Sequence, residues 1–363
     1  MLDIVFSISG GKNRIICRFL RVLHEIKYVQ NTITHNLEYL KTHSGKIIIT
    51  THHKPDGDAM GSSLGLYNYL KNAGIESQVI TPTDYADFLW WLPGNDSVLI
   101  YEGNEEKSLQ LIDESEVVFC LDFNALSRIN EMGKHIASSN ANVILIDHHR
   151  DPEDFDNERL CDVNMSSTCE LIYTYVNQHL DPKYINKDSA ECIYTGMVTD
   201  TGSFRFSSTS SNTIRVAANL LDLGVTPAHI YEKLFDQNRL VRLQLLGYFL
   251  ANKIEVIEDG KVALAHLTKE EIDQYDVKTG DTEGFVNYGL SISGVQLSAL
   301  FIDRGPLVKI SFRSKTDFPC NEFSAENFNG GGHRNAAGGA SKQSLPETLD
   351  KFKNVIKNYR EKL

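Results

Sequence analysis

The sequence predicts an α/β protein of two domains, an open and mostly parallel sheet followed by a smaller α/β unit. From about Gly45, short apolar runs alternate with amphipathic helical segments, which is typical of an open sheet covered by helices. A helical stretch over Val225–Glu258 separates this alternation from a second, shorter one. The length of 363 residues also favours two domains, because a domain usually spans roughly 100–200 residues.

Four apolar runs predict the buried parallel strands of the first domain: Lys46–Thr50, Ser77–Thr81, Val117–Leu121 and Val143–Ile146. In the second domain the pattern predicts strands, a glycine-rich turn and a terminal helix. These are Val262–Leu267, Val295–Ile302 and Leu307–Phe312, with the helix at Leu345–Tyr359.

Apolar residues at helical spacing between about Arg14 and Thr42, among them Val29, predict a helical extension before the first sheet. A hinge is expected near Asn252–Asp259. The predicted domains are therefore an N-terminal helical extension at 1–44, a catalytic domain at 45–252 and a substrate-binding domain at 253–363.

Composition and charge exclude several classes of protein. A content of 41% apolar and 23% charged residues is that of an ordinary globular chain, and the six cysteines lack Cys-x-x-Cys spacing. The net charge of −12 argues against binding to long duplex nucleic acid, although a short or mononucleotide ligand fits. No signal-peptide pattern and no apolar stretch of about 18 residues is present, so we expect a cytoplasmic protein without a membrane partner.

Acidic and imidazole side chains recur after apolar runs at four places. These are His52-x-x-x-Asp56-x-Asp58, the lone Asp122, Asp147-His148-His149, and Asp200 after Gly196–Thr199. Ligands of open α/β sheets bind beyond the carboxyl ends of the strands, so these residues are expected to converge. Each acid alone is more often a turn or cap residue, but four such places together indicate a metal site.

The chemistry of this set favours two divalent ions. It is rich in carboxylates and has few imidazoles and no thiolate, which suits Mn²⁺ or Mg²⁺ better than structural Zn²⁺. We expect two Mn²⁺ ions, with Mg²⁺ or Co²⁺ as alternatives. A pair of ions that stabilises the attacking and leaving oxygens at phosphorus is machinery for phosphoester hydrolysis. A Ser-His-Asp hydrolase explains the sequence less well, because no Gly-x-Ser-x-Gly motif is present.

These four motifs, in this order, resemble those of the DHH phosphoesterase family. Asn329–Gly339, with its Gly-Gly-Gly-His core, resembles the DHHA1-type subgroup, and the resemblance covers about Gly45 to the end. It implies one metal ion held by His52, Asp56 and Asp122, and a second held by Asp58, Asp122, His148 and Asp200. It also implies that His149 donates a hydrogen bond to the scissile phosphate and that Asp147 orients the imidazoles. Lys54 departs from the asparagine common at its position, and His53 is an added imidazole.

The second domain supplies the candidate substrate contacts. Gly331 and Gly332 let backbone N–H groups approach a phosphate, next to His333 and Arg334. Arg313 is a candidate phosphate clamp, because guanidinium matches phosphate in a bidentate fork; its alternative is a surface arginine on a strand.

The resemblance implies hydrolysis of short oligoribonucleotides to mononucleotides and of adenosine 3′,5′-bisphosphate to AMP, by attack of a hydroxide held between two metal ions. Two alternatives remain open. One is a phosphodiesterase for cyclic or linear dinucleotides, and the other, from a different class, is an inactive nucleotide-binding regulatory protein. The oligomeric state is not fixed by the sequence, and a homodimer is compatible with it.

Overall fold

The computed structural model describes residues 29–278, 280–315 and 318–363, so most of the predicted N-terminal helix lies outside the described residues. Contacts divide the chain into two compact units, the first ending at Leu234 and the second spanning Phe235–Leu363. The predicted domain boundary after residue 252 lies immediately before the first strand of the second sheet, at Ile254.

The first unit contains a seven-stranded sheet. Its strands are β1 Val29–Asn31, β2 Ile47–Thr51, β3 Gln78–Thr81, β4 Leu99–Ile100, β5 Val117–Leu121, β6 Asn142–Asp147 and β7 Glu158–Asp162. Their order in the sheet is β1-β7-β6-β5-β2-β3-β4. All neighbours pair in parallel except β1, which is antiparallel to β7. The predicted fold class is confirmed, and the four predicted strands are found to within one residue at each end.

Helices cover both faces of this sheet. The helices of this part of the chain are α1 Leu37–Thr42, α2 Gly57–Asn72, α3 Glu105–Asp113, α4 Met132–Ser138, α5 Thr168–His179, α6 Lys187–Asp200, α7 Ser211–Asp222 and α8 Pro227–Phe235, with short 3₁₀ turns at Asp87–Leu89, Asn95–Ser97, Leu126–Ile129 and Pro182–Tyr184. Alternate residues of β2 enter different cores, Ile47 and Ile49 on one face and Ile48 on the other. Burial on both faces explains why the strands read as continuous apolar runs.

The prediction of a helix through Val29 is wrong, because Val29–Asn31 forms the edge strand β1. Glu158 of β7 contacts the segment that follows β1. This buried carboxylate accepts hydrogen bonds from the backbone and hydroxyl of Thr34 and from Asn142, and Nδ1 of His35 lies 3.1 Å from it. These contacts fix the segment between β1 and α1 to the sheet.

We expect Glu158→Gln to lower the free energy of unfolding by about 1–3 kcal/mol, because an amide leaves a buried donor unsatisfied. Burial alone would raise the pKa of Glu158, but hydrogen bonds from Thr34 and Asn142 and the charge of His35 lower it from 4.5 to about 2. The stabilisation is therefore fully present above about pH 4.5 and lost as the pH falls towards 2. Urea unfolding of the wild type and of Glu158→Gln at pH 7 and pH 3 checks this. If the two proteins differed in free energy of unfolding by the same amount at both pH values, the expectation would be contradicted.

The second unit contains a six-stranded sheet. Its strands are β8 Ile254–Ile257, β9 Val262–Leu267, β10 Leu297–Asp303, β11 Val308–Ser314, β12 Gly331–His333 and β13 Ala336–Ser341. Their order is β12-β13-β11-β10-β9-β8, and of these neighbours β9 and β10 pair in parallel while the others are antiparallel. Its helices are α9 Leu240–Asn252, α10 Lys269–Gln274, α11 Phe285–Leu290, α12 Cys320–Phe328 and α13 Leu345–Val355, continued by a 3₁₀ turn at Ile356–Lys362.

In the described ranges, no helix combines the length and apolar character required to cross a membrane.

Candidate metal centre

The first motif directs one imidazole towards two acids. His52 follows β2, and its Nδ1 donates a hydrogen bond to the carbonyl oxygen of His53 at 2.9 Å. Its Nε2 therefore faces the acids, at 4.0 Å from Oδ1 of Asp56 and 3.5 Å from Oδ2 of Asp122. A histidine whose other nitrogen is bonded to a carbonyl has a fixed tautomer, which is typical of metal ligands.

Asp56 and Asp58 lie at the start of a helix. The helix α2 begins at Gly57, and Asp56 is its N-cap. Oδ1 of Asp56 accepts the backbone N–H groups of Asp58 and Ala59, at 3.0 and 3.1 Å. Both acids are thus held by the first helical turn, which restricts their orientation.

Asp122 lies at the centre of the cluster and is 2% exposed. Its Oδ2 faces His52, while its Oδ1 accepts the hydroxyl of Thr168 at 2.9 Å and lies 3.6 Å from Nε2 of His148. Its backbone is left-handed, with φ of 64°. Such strain is common at functional sites, and here the two carboxylate oxygens face different donor groups.

The Asp147-His148-His149 motif divides its imidazoles between two roles. Nδ1 of His148 bonds to the carbonyl oxygen of Met165, so its Nε2 faces the carboxylates. His149 donates instead from Nδ1 to Oδ1 of the fully buried Asp147, at 2.7 Å. Burial alone would raise the pKa of Asp147, but the charge and hydrogen bond of His149 hold it below its ordinary value. Asp147 is therefore an anion that orients His149.

Asp200 reaches the cluster from a helix. The prediction that each of the four motifs lies at the end of a strand is wrong for Asp200, since Asp200 is the last residue of α6. Its Oδ2 lies 3.5 Å from Nε2 of His148, and Oδ2 of Asp58 lies 3.8 Å from the same nitrogen.

The charges in this cluster require compensation. Burial raises the pKa of Asp122, and the carboxylates of Asp58 and Asp56 raise it further. Burial alone would lower the pKa of His148, but the carboxylates of Asp200, Asp122 and Asp58 raise it to about 9. Buried like charges at this density are stabilised by bound cations or by protons.

Donor atoms of the predicted ligands form two sets in which all atoms lie within 4.8 Å of one another: His52, Asp56 and Asp122 in one, and Asp58, His148 and Asp200 in the other. Oδ1 of Asp122 faces the second set as well. Oxygen and imidazole donors at this spacing fit divalent metal ions, and the described residues of the cluster include no thiolate ligand.

The start of α5 is a part of the site that the sequence analysis missed. The backbone N–H groups of Thr168 and Cys169 donate to Oδ2 and Oδ1 of Asp58, at 2.6 and 2.9 Å. The Ser167-Thr168-Cys169-Glu170 pattern is a signal for a helix N-terminus, but no local pattern shows which carboxylate that terminus will contact.

Arg128 is a second missed residue. It lies in the 3₁₀ turn after β5, where its carbonyl oxygen accepts hydrogen bonds from the backbone and ring of His53, both at 2.8 Å. Burial lowers the pKa of His149, and the charges of His148 and Arg128 lower it further against the effect of Asp147. A cation near His149 can attract an anionic substrate.

Lys54 of the first motif contacts Thr83 and Asp84. It has a left-handed backbone with φ of 52°, its N–H donates to the hydroxyl of Thr83 at 2.7 Å, and its ammonium pairs with Asp84.

The candidate phosphate contacts of the second unit cluster at one end of its sheet. The register places Ala336 opposite both Arg313 of β11 and His333 of β12. Arg334 and Asn335 form the turn between β12 and β13. The sequence predicted a glycine-rich turn, but Gly331–His333 is a short strand paired with β13. This segment is therefore an edge strand of the six-stranded sheet and not a turn.

Residues 46–197 match the DHH family, N-terminal domain, and residues 259–362 match the DHHA1 domain. Two similar proteins are called bifunctional oligoribonuclease and PAP phosphatase NrnA. The one from Thermus thermophilus is 32% identical over 90% of this chain and 93% of that protein, and the one from Bacillus subtilis is 28% identical over 80% and 88%. The cyclic-di-AMP phosphodiesterase PdeA of Listeria monocytogenes is 25% identical over 96% of this chain but 52% of that protein.

The crystal structure of an exopolyphosphatase-related protein from Bacteroides fragilis is similar throughout, with a TM-score of 0.84 and 42% identity over 89% of this chain and 95% of that one. The DHH family is metal-dependent, and the cluster around Asp122 can bind metal. The chain belongs to the DHH phosphoesterase family, carries a DHHA1 domain and is a hydrolase.

Proposed function

We propose that this protein is a divalent-metal-dependent hydrolase that cleaves short oligoribonucleotides to mononucleotides and removes a phosphate from adenosine 3′,5′-bisphosphate to give AMP. The names of the two NrnA relatives support the substrates. The orientation of Asp122 supports the chemistry, because its two oxygens face two separate donor sets. Negative net charge is consistent with substrates that are too short to require a basic surface.

In this proposal His52, Asp56 and Asp122 would hold one ion, and Asp58, Asp122, His148 and Asp200 would hold the other. Asp122 would be the shared ligand. When bound, such a pair of ions supplies Lewis acid activation of water and of the phosphoryl group. The identity of the ions, with Mn²⁺ favoured over Mg²⁺ or Co²⁺, is part of the proposal.

His149 is proposed to contact the scissile phosphate. Because its Nδ1 donates to Asp147, its Nε2 can donate to a phosphate oxygen only when the imidazole is protonated. Burial and the charges of His148 and Arg128 lower the pKa of His149 and so oppose that form, whereas Asp147 favours it and the charge of a bound phosphate would add to the effect of Asp147. The chain would therefore stabilise negative charge on phosphorus with a donor that Asp147 aligns in advance.

The second domain is proposed to bind a substrate phosphate or base through Arg313, Gly331, Gly332, His333 and Arg334. An anionic ligand suits this end of the sheet, because it carries two arginines and one imidazole. The neighbouring glycines permit close approach of the backbone to a phosphate.

Arg313→Ala is expected to raise KM for a diribonucleotide about tenfold with little change in kcat, because it removes charged contacts to substrate. Arg313→Lys should restore only part of the loss, since a lysine cannot form the bidentate fork. Steady-state kinetics of both variants check this, with Lys309→Ala on the same strand as the control. An unchanged KM in Arg313→Ala would exclude the clamp.

The proposed function is tested by incubating the purified full chain with Mn²⁺, Mg²⁺ or Co²⁺ and resolving the products by chromatography. Substrates are di- and triribonucleotides, adenosine 3′,5′-bisphosphate and cyclic dinucleotides. We expect mononucleotides from the linear RNAs and AMP from the bisphosphate. Release of neither product with any of the three ions would overturn the proposal and favour the inactive nucleotide-binding protein.

A second candidate is hydrolysis of cyclic dinucleotides, which the likeness to PdeA favours. The same metal centre can serve both reactions, so the substrate pocket decides between them. A higher kcat/KM for a cyclic dinucleotide than for any linear dinucleotide would establish this candidate in place of the first.

A further inference from the structure

Glu170 is a buried acid close to the candidate metal ligands that the proposed reaction does not use. It is 1% exposed, and in the described part of the chain the donors to its carboxylate are neutral side chains and one backbone N–H. Its Oε2 accepts the backbone N–H and hydroxyl of Ser166, at 3.1 and 2.6 Å, and the hydroxyl of Thr213, at 2.9 Å. Its Oε1 accepts the side-chain amide of Asn212 at 2.8 Å. Four donors of this kind compensate a buried carboxylate without a cation.

The Ser166–Cys169 turn, which Glu170 contacts through Ser166, also forms hydrogen bonds with the metal-ligand candidates Asp58 and Asp122. Glu170 fixes Ser166, and two residues later Thr168 donates its N–H to Asp58 and its hydroxyl to Asp122. The next N–H, that of Cys169, donates to the other oxygen of Asp58. Both oxygens of Asp58 and one oxygen of Asp122 are thus oriented by a turn that this buried acid anchors.

Glu170 also contacts the start of α7, where the loop that follows Asp200 ends. That loop begins after α6 and ends at α7, whose N-terminal residues include Asn212 and Thr213. Thr213 completes the capping box of α7 through Ser210 and donates to Glu170 as well. One carboxylate therefore connects the turn that contacts Asp58 and Asp122 with the end of the loop that starts at Asp200.

We propose that Glu170 is a positioning residue for the metal centre, acting through the Ser166–Cys169 turn on Asp58 and Asp122. This inference rests on the proposed function of those acids as metal ligands. Without the turn, each carboxylate would be free to rotate about its side-chain bonds, and the preformed spacing of donor atoms would be lost. Hydrogen-bond partners of metal ligands commonly change metal affinity or activity about 10- to 100-fold when removed.

The test is Glu170→Gln in the full chain, which keeps the shape of the side chain and replaces one acceptor oxygen by a donor. We expect the dissociation constant for Mn²⁺, measured by calorimetry, to rise about 10- to 100-fold, with a comparable fall in kcat at low Mn²⁺. Excess Mn²⁺ should restore part of kcat. Glu158→Gln is the matched control, because Glu158 is also a buried, multiply hydrogen-bonded acid. It should lose stability while its Mn²⁺ affinity stays within about twofold of wild type.

If Glu170→Gln does not fold, the milder variant Ser166→Ala tests the inference. We expect Ser166→Ala to lower the Mn²⁺ affinity about two- to tenfold. A folded Glu170→Gln with wild-type Mn²⁺ affinity and kcat would overturn the inference, as would an equal loss of affinity in Glu158→Gln. Calorimetry with Mn²⁺ needs no substrate. A wild-type protein that binds Mn²⁺ but hydrolyses none of the tested substrates would therefore overturn the proposed reaction and leave the role of Glu170 to be decided by the affinities.

Discussion

Asp122→Asn is expected to lower kcat for a diribonucleotide by on the order of 10³-fold or more, since it removes the charge shared by both proposed metal positions. Asparagine matches aspartate in size and tolerates the left-handed backbone at this position, where φ is 64°. The variant should therefore fold. Single-turnover kinetics at saturating Mn²⁺ measure the chemical step.

Thermal unfolding separates a lost metal site from a damaged fold. Without added metal, Asp122→Asn should melt at the same temperature as wild type or higher, because one of several mutually repelling buried charges is gone. Mn²⁺ should raise the melting temperature of wild type and have a much smaller effect on the variant. Asp96→Asn, at an exposed 3₁₀ turn, is the control and should behave as wild type in both assays. Undiminished hydrolysis by Asp122→Asn would place the activity elsewhere.

The sequence was sufficient to predict the elements that depend on local patterns. Val117–Leu121 is buried on both faces, so it reads as an unbroken apolar run and its bounds were predicted correctly. The convergence of His52, Asp122 and His148 followed from the rule that parallel strands end at one edge of a sheet.

What the sequence did not predict depends on contacts between distant segments. Asp200 follows an apolar run that is a buried helix, and periodicity over a few residues cannot distinguish a buried helix from a buried strand. The contact of Thr168 with Asp122 joins residues 46 positions apart. Gly331–His333 lacks the side chains that mark a strand, and only its pairing with β13 makes it one.

Gly196→Ala is expected to displace the metal-ligand candidate Asp58, because the added methyl group has no room in the helix packing around Gly196. A methyl group at this position of α6 would lie 2.2 Å from Sγ of Cys169, 2.9 Å from Oδ1 of Asp58 and 3.0 Å from Cα of Asp58. Relief of these overlaps must move Asp58 or the start of α5. We expect the free energy of unfolding to fall by about 1–3 kcal/mol and kcat to fall about 10²-fold, the effect typical of a displacement near 1 Å at a catalytic group.

Two further variants attribute the loss at Gly196 to this overlap. Gly247→Ala, in α9 and with no atom within 4 Å of the added methyl group, should be neutral or stabilising by up to about 1 kcal/mol, so alanine in a helix is not itself the cause. Cys169→Ala removes the nearest atom, so the double variant Gly196→Ala/Cys169→Ala should recover stability beyond the sum of the single effects. Recovery of stability without recovery of kcat would show that contact with Asp58, and not with Cys169, limits the reaction. Strictly additive effects would instead show that the overlap with Cys169 does not cause the loss.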